Sequence, residues 1–305
     1  MKSELVYIFQ SKSKKNFNEI TSISSEIASS FPGFDVFGGS IKGRTIVGNQ
    51  KCVLEYNTET HGWSILQNTI KDRKDGASMC SINDSTLVLA GGEKNGDCVE
   101  VLTFYGYNST KYSNGSTRRE KSENLSSSLS TWSICDAKLP VPVSHHTLIR
   151  INNRRLMLVG GIVNEQPSNR VFEGIYYEYD KNITWKERKP LKRARQSHIT
   201  FRLGHNIYSA GGQGLDSQKV LNCCEVYNLH SQKWIKSLHK LPFPLYEASV
   251  VVDPAETFAV ITGNFSYISG ASNSVIIFTE LNGFSVFNNF TLKIPRFGHV
   301  STRVE

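Results

Sequence analysis

The sequence predicts an all-β chain built from repeated four-stranded antiparallel units. Three recurring marks predict it. They are an apolar run ending in paired glycines, two aromatics that follow the run at a fixed gap, and a polar stretch with His or Ser that precedes it. The 305 residues suffice for a large all-β core, and 39% hydrophobic with 20% charged residues is a globular composition.

The glycine mark appears at Phe34 to Gly39, with the pair Gly38-Gly39. It returns as Leu87 to Ala90 before Gly91-Gly92, Leu156 to Val159 before Gly160-Gly161, and Ile207 to Ala210 before Gly211-Gly212. A worn copy runs from Phe258 to Thr262 before Gly263-Asn264. Successive first glycines are 53, 69, 51 and 52 residues apart. The aromatic mark pairs Tyr56 with Trp63, Tyr179 with Trp185, Tyr227 with Trp234, and Phe278 with Phe284, each six or seven residues apart. The second copy is looser, with Tyr105 or Tyr107 before Trp132. The third mark is clearest at Arg195-Gln196-Ser197-His198 and Arg296-Phe297-Gly298-His299. Ser144-His145-His146 and Glu247-Ala248-Ser249 are weaker versions.

Turn residues divide each unit into four short strands, as in an antiparallel meander. One such sheet cannot bury both of its faces. Units stacked around an axis bury one another and leave only short edges. Paired glycines suit places where backbones crowd or φ is positive, and the Tyr and Trp supply large apolar area.

In these marks the chain resembles the kelch-repeat family from about residue 22 onward. The resemblance implies a β-propeller of four-stranded antiparallel blades forming one domain over residues 1–305. Six blades are expected, the last closed by both chain ends: Pro295 to Glu305 opens it and Glu4 to Ile20, with Tyr7 and Phe17, supplies closing strands. Five blades, with residues 1–21 as an extension, is the alternative. Residues 108–130 lengthen the second clear repeat. They are rich in Ser and Asn with few apolar residues and read as a flexible loop. No BTB or F-box region is found in these residues.

The net charge is +8. It favours acidic partners, but it is not gathered into the stripe with interleaved aromatics that nucleic-acid binding calls for, and no nucleic acid is expected. No segment reaches the 18 or so apolar residues of a membrane span. Cys52, Cys80, Cys98, Cys135, Cys223 and Cys224 show no zinc spacing and read as buried thiols. Sequons at Asn83, Asn108, Asn114, Asn124, Asn182, Asn264 and Asn289 matter only on a secretory route, so the compartment stays open, with the cytoplasm favoured over the exterior.

Propeller geometry puts the strand 2–3 loops and strand 4–1 loops on one face. Kelch proteins of the ubiquitin-ligase adaptor type bind targets there, so the resemblance implies the same face here. Residues 93–98, 162–170, 213–221 and 264–274 fall on it. So does a basic run, Lys186, Arg188, Lys189, Lys192, Arg193 and Arg195, which Arg170 and Lys219 extend. The expected partner is a protein or an acidic peptide, held by charge-assisted hydrogen bonds to a monomeric, non-catalytic propeller. The other reading of the run is a solvated charged loop. No cofactor or metal is expected. Rival classes are a secreted glycoprotein of the same fold and a propeller enzyme of copper-oxidase or sugar-mutarotase type. For the enzyme, His145, His146, His198 and His299 are better read as structural residues at strand openings.

Overall fold

The computed structural model describes residues 6–11, 17–20, 36–41, 44–57, 62–73, 75–105, 129–216 and 219–303. Most of the 108–130 loop lies outside them. Among the described residues, all regular elements are strands. The first are β1 (Val6–Ser11) and β2 (Phe17–Ile20). The first four-stranded sheet is β3 (Phe37–Ile41), β4 (Arg44–Asn49), β5 (Cys52–Asn57) and β6 (Gly62–Ile65). The second is β7 (Ser78–Ser81), β8 (Thr86–Ala90), β9 (Val99–Phe104) and β10 (Ser130–Ile134). The third is β11 (Thr147–Asn152), β12 (Arg155–Val159), β15 (Val171–Tyr177) and β16 (Asn182–Arg188), with the small hairpin β13 (Ile162–Val163) and β14 (Gln166–Pro167) in its 2–3 loop. The fourth is β17 (Ile199–Leu203), β18 (Asn206–Ala210), β19 (Cys224–Asn228) and β20 (Lys233–Lys236). The fifth is β21 (Ser249–Val252), β22 (Phe258–Thr262), β25 (Val275–Thr279) and β26 (Gly283–Val286), with β23 (Phe265–Ser266) and β24 (Gly270–Ala271) forming a second hairpin. Each four-stranded sheet is an antiparallel meander, the blade of a β-propeller.

The last strand, β27 (Val300–Arg303), pairs with β1, and β1 with β2. The five complete blades are therefore joined by a three-stranded sheet in which both chain ends meet. It differs from the four-stranded antiparallel closure expected from the sequence: β1 runs parallel to β27, with Val6 opposite Val300 and Phe9 opposite Arg303. The physical reason is that β1 arrives from the other end of the chain, so no tight turn fixes its direction. β27 packs against β21 on one side and β3 on the other.

Strand alternation explains the near-continuous apolar runs. On β8, Val88 and Ala90 pack toward the third blade while Leu87 and Leu89 pack toward the first. On β12, Leu156 and Leu158 join the second blade, and Met157 and Val159 join the fourth. Successive side chains point to opposite faces, and both faces are interior. Each such Val, Leu or Met side chain contributes roughly 1.5–3 kcal/mol by leaving water.

The paired glycines follow the second strand at Gly91-Gly92, Gly160-Gly161, Gly211-Gly212 and Gly263-Asn264. Gly160 shows why: its φ is +63°, and a Cβ there would lie 2.6 Å from the Arg195 carbonyl and 2.8 Å from His198 Cε1. The His ring of the next blade's opening strand fills the space that the missing side chain leaves. The same pairing joins His299 to Gly263 and His146 to Gly91. Gly38-Gly39 is different: it lies inside β3, an opening strand, where its neighbours are Val300 and Leu87. In the first blade, the second strand ends at Asn49 and Gln50 follows it with φ +51°. The 53-residue spacing was therefore coincidental.

The aromatic mark divides similarly. Tyr56 and Trp63, and Tyr227 and Trp234, are cross-strand partners with ring centroids 5.1 and 5.2 Å apart. Phe278 and Phe284 repeat the pairing at 4.4 Å. Tyr179 does not take part. It is a fully exposed turn residue, and Trp185 faces Gly174, where a Cβ would lie 2.9 Å from the indole. The indole occupies the volume that a Tyr fills elsewhere. Trp132, opposite Leu102, donates its indole N–H to the Gln67 carbonyl at 2.9 Å.

A belt of backbone hydrogen bonds circles the axis just before the opening strands. His145 donates to Gly76, Ser197 to His145, Glu247 to Ser197, and Gly298 to Glu247, at 2.7–3.1 Å. All five residues have positive φ, from +46° to +73°. They surround an axial cavity of about 160 Å³.

A candidate interaction face

Each 4–1 loop passes between the 2–3 loops of two consecutive blades and bonds to them. Asn169 and Leu191 exchange backbone and side-chain hydrogen bonds, Gln196 pairs with Gln213, and Gln213 donates to the Tyr267 hydroxyl at 3.3 Å. The loops of the third, fourth and fifth blades thus form one continuous surface.

On this surface the basic run separates into two groups. Arg195 is fully buried. Its guanidinium donates to the carbonyls of Gly211 and Cys223 and pairs with Glu225 at 2.9 Å. Glu225 also accepts the backbone N–H groups of Lys192 and Arg193 at 2.6 and 3.0 Å. Arg195 is therefore scaffold, and its charge is not offered to a partner; this corrects the expectation from the sequence. Arg170 makes a two-pronged ion pair with Glu187 at 2.8 and 3.1 Å and lies over the Phe172 ring. Arg188 pairs with Glu173 at 2.6 Å, and Arg155 binds the same carboxylate. Burial alone would raise the Glu173 carboxyl, but the hydrogen bonds and charges of Arg155 and Arg188 hold it below its ordinary range. Lys186, Lys189, Lys192, Arg193 and Lys219 are exposed and make no ion pair among the described residues.

Sequence reasoning missed the counterpart of Arg195. Arg73 is fully buried, pairs with Glu100 at 2.9 Å, and donates to the carbonyls of Gly91 and Cys98. Glu100 accepts the N–H groups of Ile70 and Lys71. The loop spacing 70, 71, 73 repeats as 192, 193, 195, and that spacing was the available signal.

Sequence reasoning also missed an apolar groove of about 630 Å³ between the fourth and fifth blades. Val220 and Lys219 of one 2–3 loop, Phe243 and Pro244 of a 4–1 loop, and the β23–β24 hairpin line it. Beneath the hairpin, Tyr246 stacks on Tyr267 at 6.2 Å, and Phe265 meets Tyr267 at 5.3 Å and Phe297 at 4.7 Å. Asn264 anchors the wall, accepting from the Tyr246 N–H at 2.7 Å and donating to the Pro244 carbonyl at 3.2 Å. That burial also removes its sequon side chain from solvent. Tyr267 is 61% exposed and Ile268 99%.

No family model matches the sequence. The chain is 28% identical over 214 residues, 63% of its length, to the zebrafish (Danio rerio) Kelch repeat and BTB domain-containing protein 12. It is 26% identical over 113 residues, 33% of its length, to Mei4-dependent protein 6 of Schizosaccharomyces pombe. These similarities, together with the propeller arrangement of the sheets, support a kelch-repeat family for the chain. The matches span 29% and 16% of those two proteins, so the chain covers less than a third of either.

In this propeller the histidines at the opening strands belong to the packing. His146 and His198 are buried, and burial pushes both imidazoles down, His146 to about 3. Among the described residues, no three His, Cys, Asp or Glu side chains converge as metal ligands would. All six cysteines are free thiols, and burial raises Cys80, Cys135 and Cys224 to about 12, which makes them poor nucleophiles. Among the described residues, no helix is long and apolar enough to cross a membrane.

Proposed function

We propose that this kelch propeller is a non-catalytic protein-interaction module. It receives a partner segment on the face of the strand 2–3 and 4–1 loops, and its ring has six blades, with the β2-β1-β27 sheet as the sixth. The contacts of β27 with both β21 and β3 support the six-blade reading. The exposed apolar groove carries the functional reading. Tyr267 and Ile268 remain in water although burying such a side chain gains roughly 1.5–3 kcal/mol, and an exposed apolar patch with a polar rim is the usual mark of a binding surface. Aromatic anchors in such a groove supply affinity, while Lys219 at its edge and Lys192 and Arg193 on the neighbouring 4–1 loop steer approach. Similarity to a kelch-repeat protein is consistent with a protein partner.

Affinity capture tests this. Wild-type protein and a Tyr267→Ala/Ile268→Ala variant are used as bait in parallel. The variant is expected to lose the proteins the wild type retains. Identical captured sets would overturn the reading.

A further inference from the structure

The groove's chemistry specifies what fills it. Resting on the reading that this face receives a partner, we infer that the groove binds an extended peptide segment carrying a bulky aliphatic or aromatic side chain beside carboxylates. Its walls are apolar or neutral. The Ser266 hydroxyl is spent on the N–H groups of Ile268 and Ser269, Ser272 bonds Ser274, and Asn264 is spent on the 4–1 loop. Lys219 alone among the lining residues is charged, and its ammonium makes no ion pair among the described residues. A single uncommitted cation at the edge of an apolar groove is complemented by a carboxylate next to an apolar anchor, which fixes both the sign and the register of the occupant.

The groove volume of about 630 Å³ would admit a small molecule or a few side chains, and the exposed hairpin tip favours the peptide. Ile268 at the hairpin tip is 99% exposed, so only a ligand that extends past the cavity can cover it. The rest of the face agrees in charge. Lys192 and Arg193 lie on the neighbouring 4–1 loop, held side chains outward by the Glu225 grip on their amides.

The test uses random dodecapeptides displayed on phage and selected on the immobilised full chain. Enriched peptides are then titrated by fluorescence anisotropy against wild type, Tyr267→Ala, Lys219→Glu, Lys219→Arg and, from the opposite face, Tyr179→Glu. The expected consensus is a Phe, Leu, Ile or Trp within a few residues of Asp or Glu. Tyr267→Ala and Lys219→Glu each weaken binding by about tenfold or more, Lys219→Arg retains it, and Tyr179→Glu leaves it unchanged. Peptides that need Tyr267 but carry no acidic residue, and ignore Lys219→Glu, would overturn this inference and leave the interaction face standing. Enriched peptides insensitive to Tyr267→Ala, or no enrichment at all, would overturn both.

Discussion

Arg195 separates scaffold from surface, and replacing it by alanine gives the most decisive stability prediction. The side chain is fully buried and its partner Glu225 nearly so. Arg195→Ala removes the ion pair at 2.9 Å and the donor to the Gly211 carbonyl at 2.9 Å. It leaves a carboxylate whose other hydrogen bonds come only from two backbone amides. Breaking one side of a buried pair costs roughly 3–5 kcal/mol, mostly because the remaining charge is stranded out of water. For a domain of this size that lowers the melting temperature by about 5–10 °C. The assay is thermal unfolding followed by tryptophan fluorescence, with Arg195→Met/Glu225→Gln beside the single variants. The double variant should cost less than the sum of the singles by roughly 0.5–3 kcal/mol, since the charges disappear together. An Arg195→Ala protein that melts like wild type while losing its partner would refute the structural assignment and restore Arg195 to the binding surface.

The remaining predictions follow from the same geometry. Lys192→Glu with Arg193→Glu should shift stability by no more than about 0.5 kcal/mol, because both side chains are exposed, yet weaken partner binding measured by calorimetry. Gly160→Ala forces a side chain into φ +63° against the Arg195 carbonyl and should cost roughly 1–3 kcal/mol in urea unfolding; a neutral result would contradict the crowding argument. His146 stays neutral in the folded state down to about 3, while the unfolded chain takes up its proton near the ordinary 6.5. Its contribution is therefore complete above 6.5 and lost as the pH falls toward 3. Relative to His146→Gln, the wild type should lose about 1.4 kcal/mol per pH unit in that window. A pH-independent difference between the two would contradict the burial of this imidazole.

The propeller was legible because its determinants are local. Glycines with positive φ and cross-strand aromatic pairs lie within one blade and leave short-range marks. The two misread marks show the limit of that logic. Gly38-Gly39 and Tyr179 match the motif letters, but glycines also occur where opening strands converge, and Gly174 makes room for Trp185 without any Tyr. The candidate site was only partly legible. Charge is visible in sequence, whereas burial of Arg195 depends on Glu225 thirty residues away, and the ion pair of Arg188 depends on Glu173 across a strand. The groove was hidden for the same reason: its walls come from three loops, and no single loop is unusually apolar. The parallel entry of β1 could not be read because no turn joins it to β27.

The most direct test of the interaction face is hydrogen exchange on the full chain with and without its captured partner. Slowed exchange confined to residues 213–221, 240–248 and 264–274 is the predicted result. Protection confined instead to the strand 1–2 and 3–4 turns, around Tyr179 and Leu281, would place the partner on the opposite face and contradict the account.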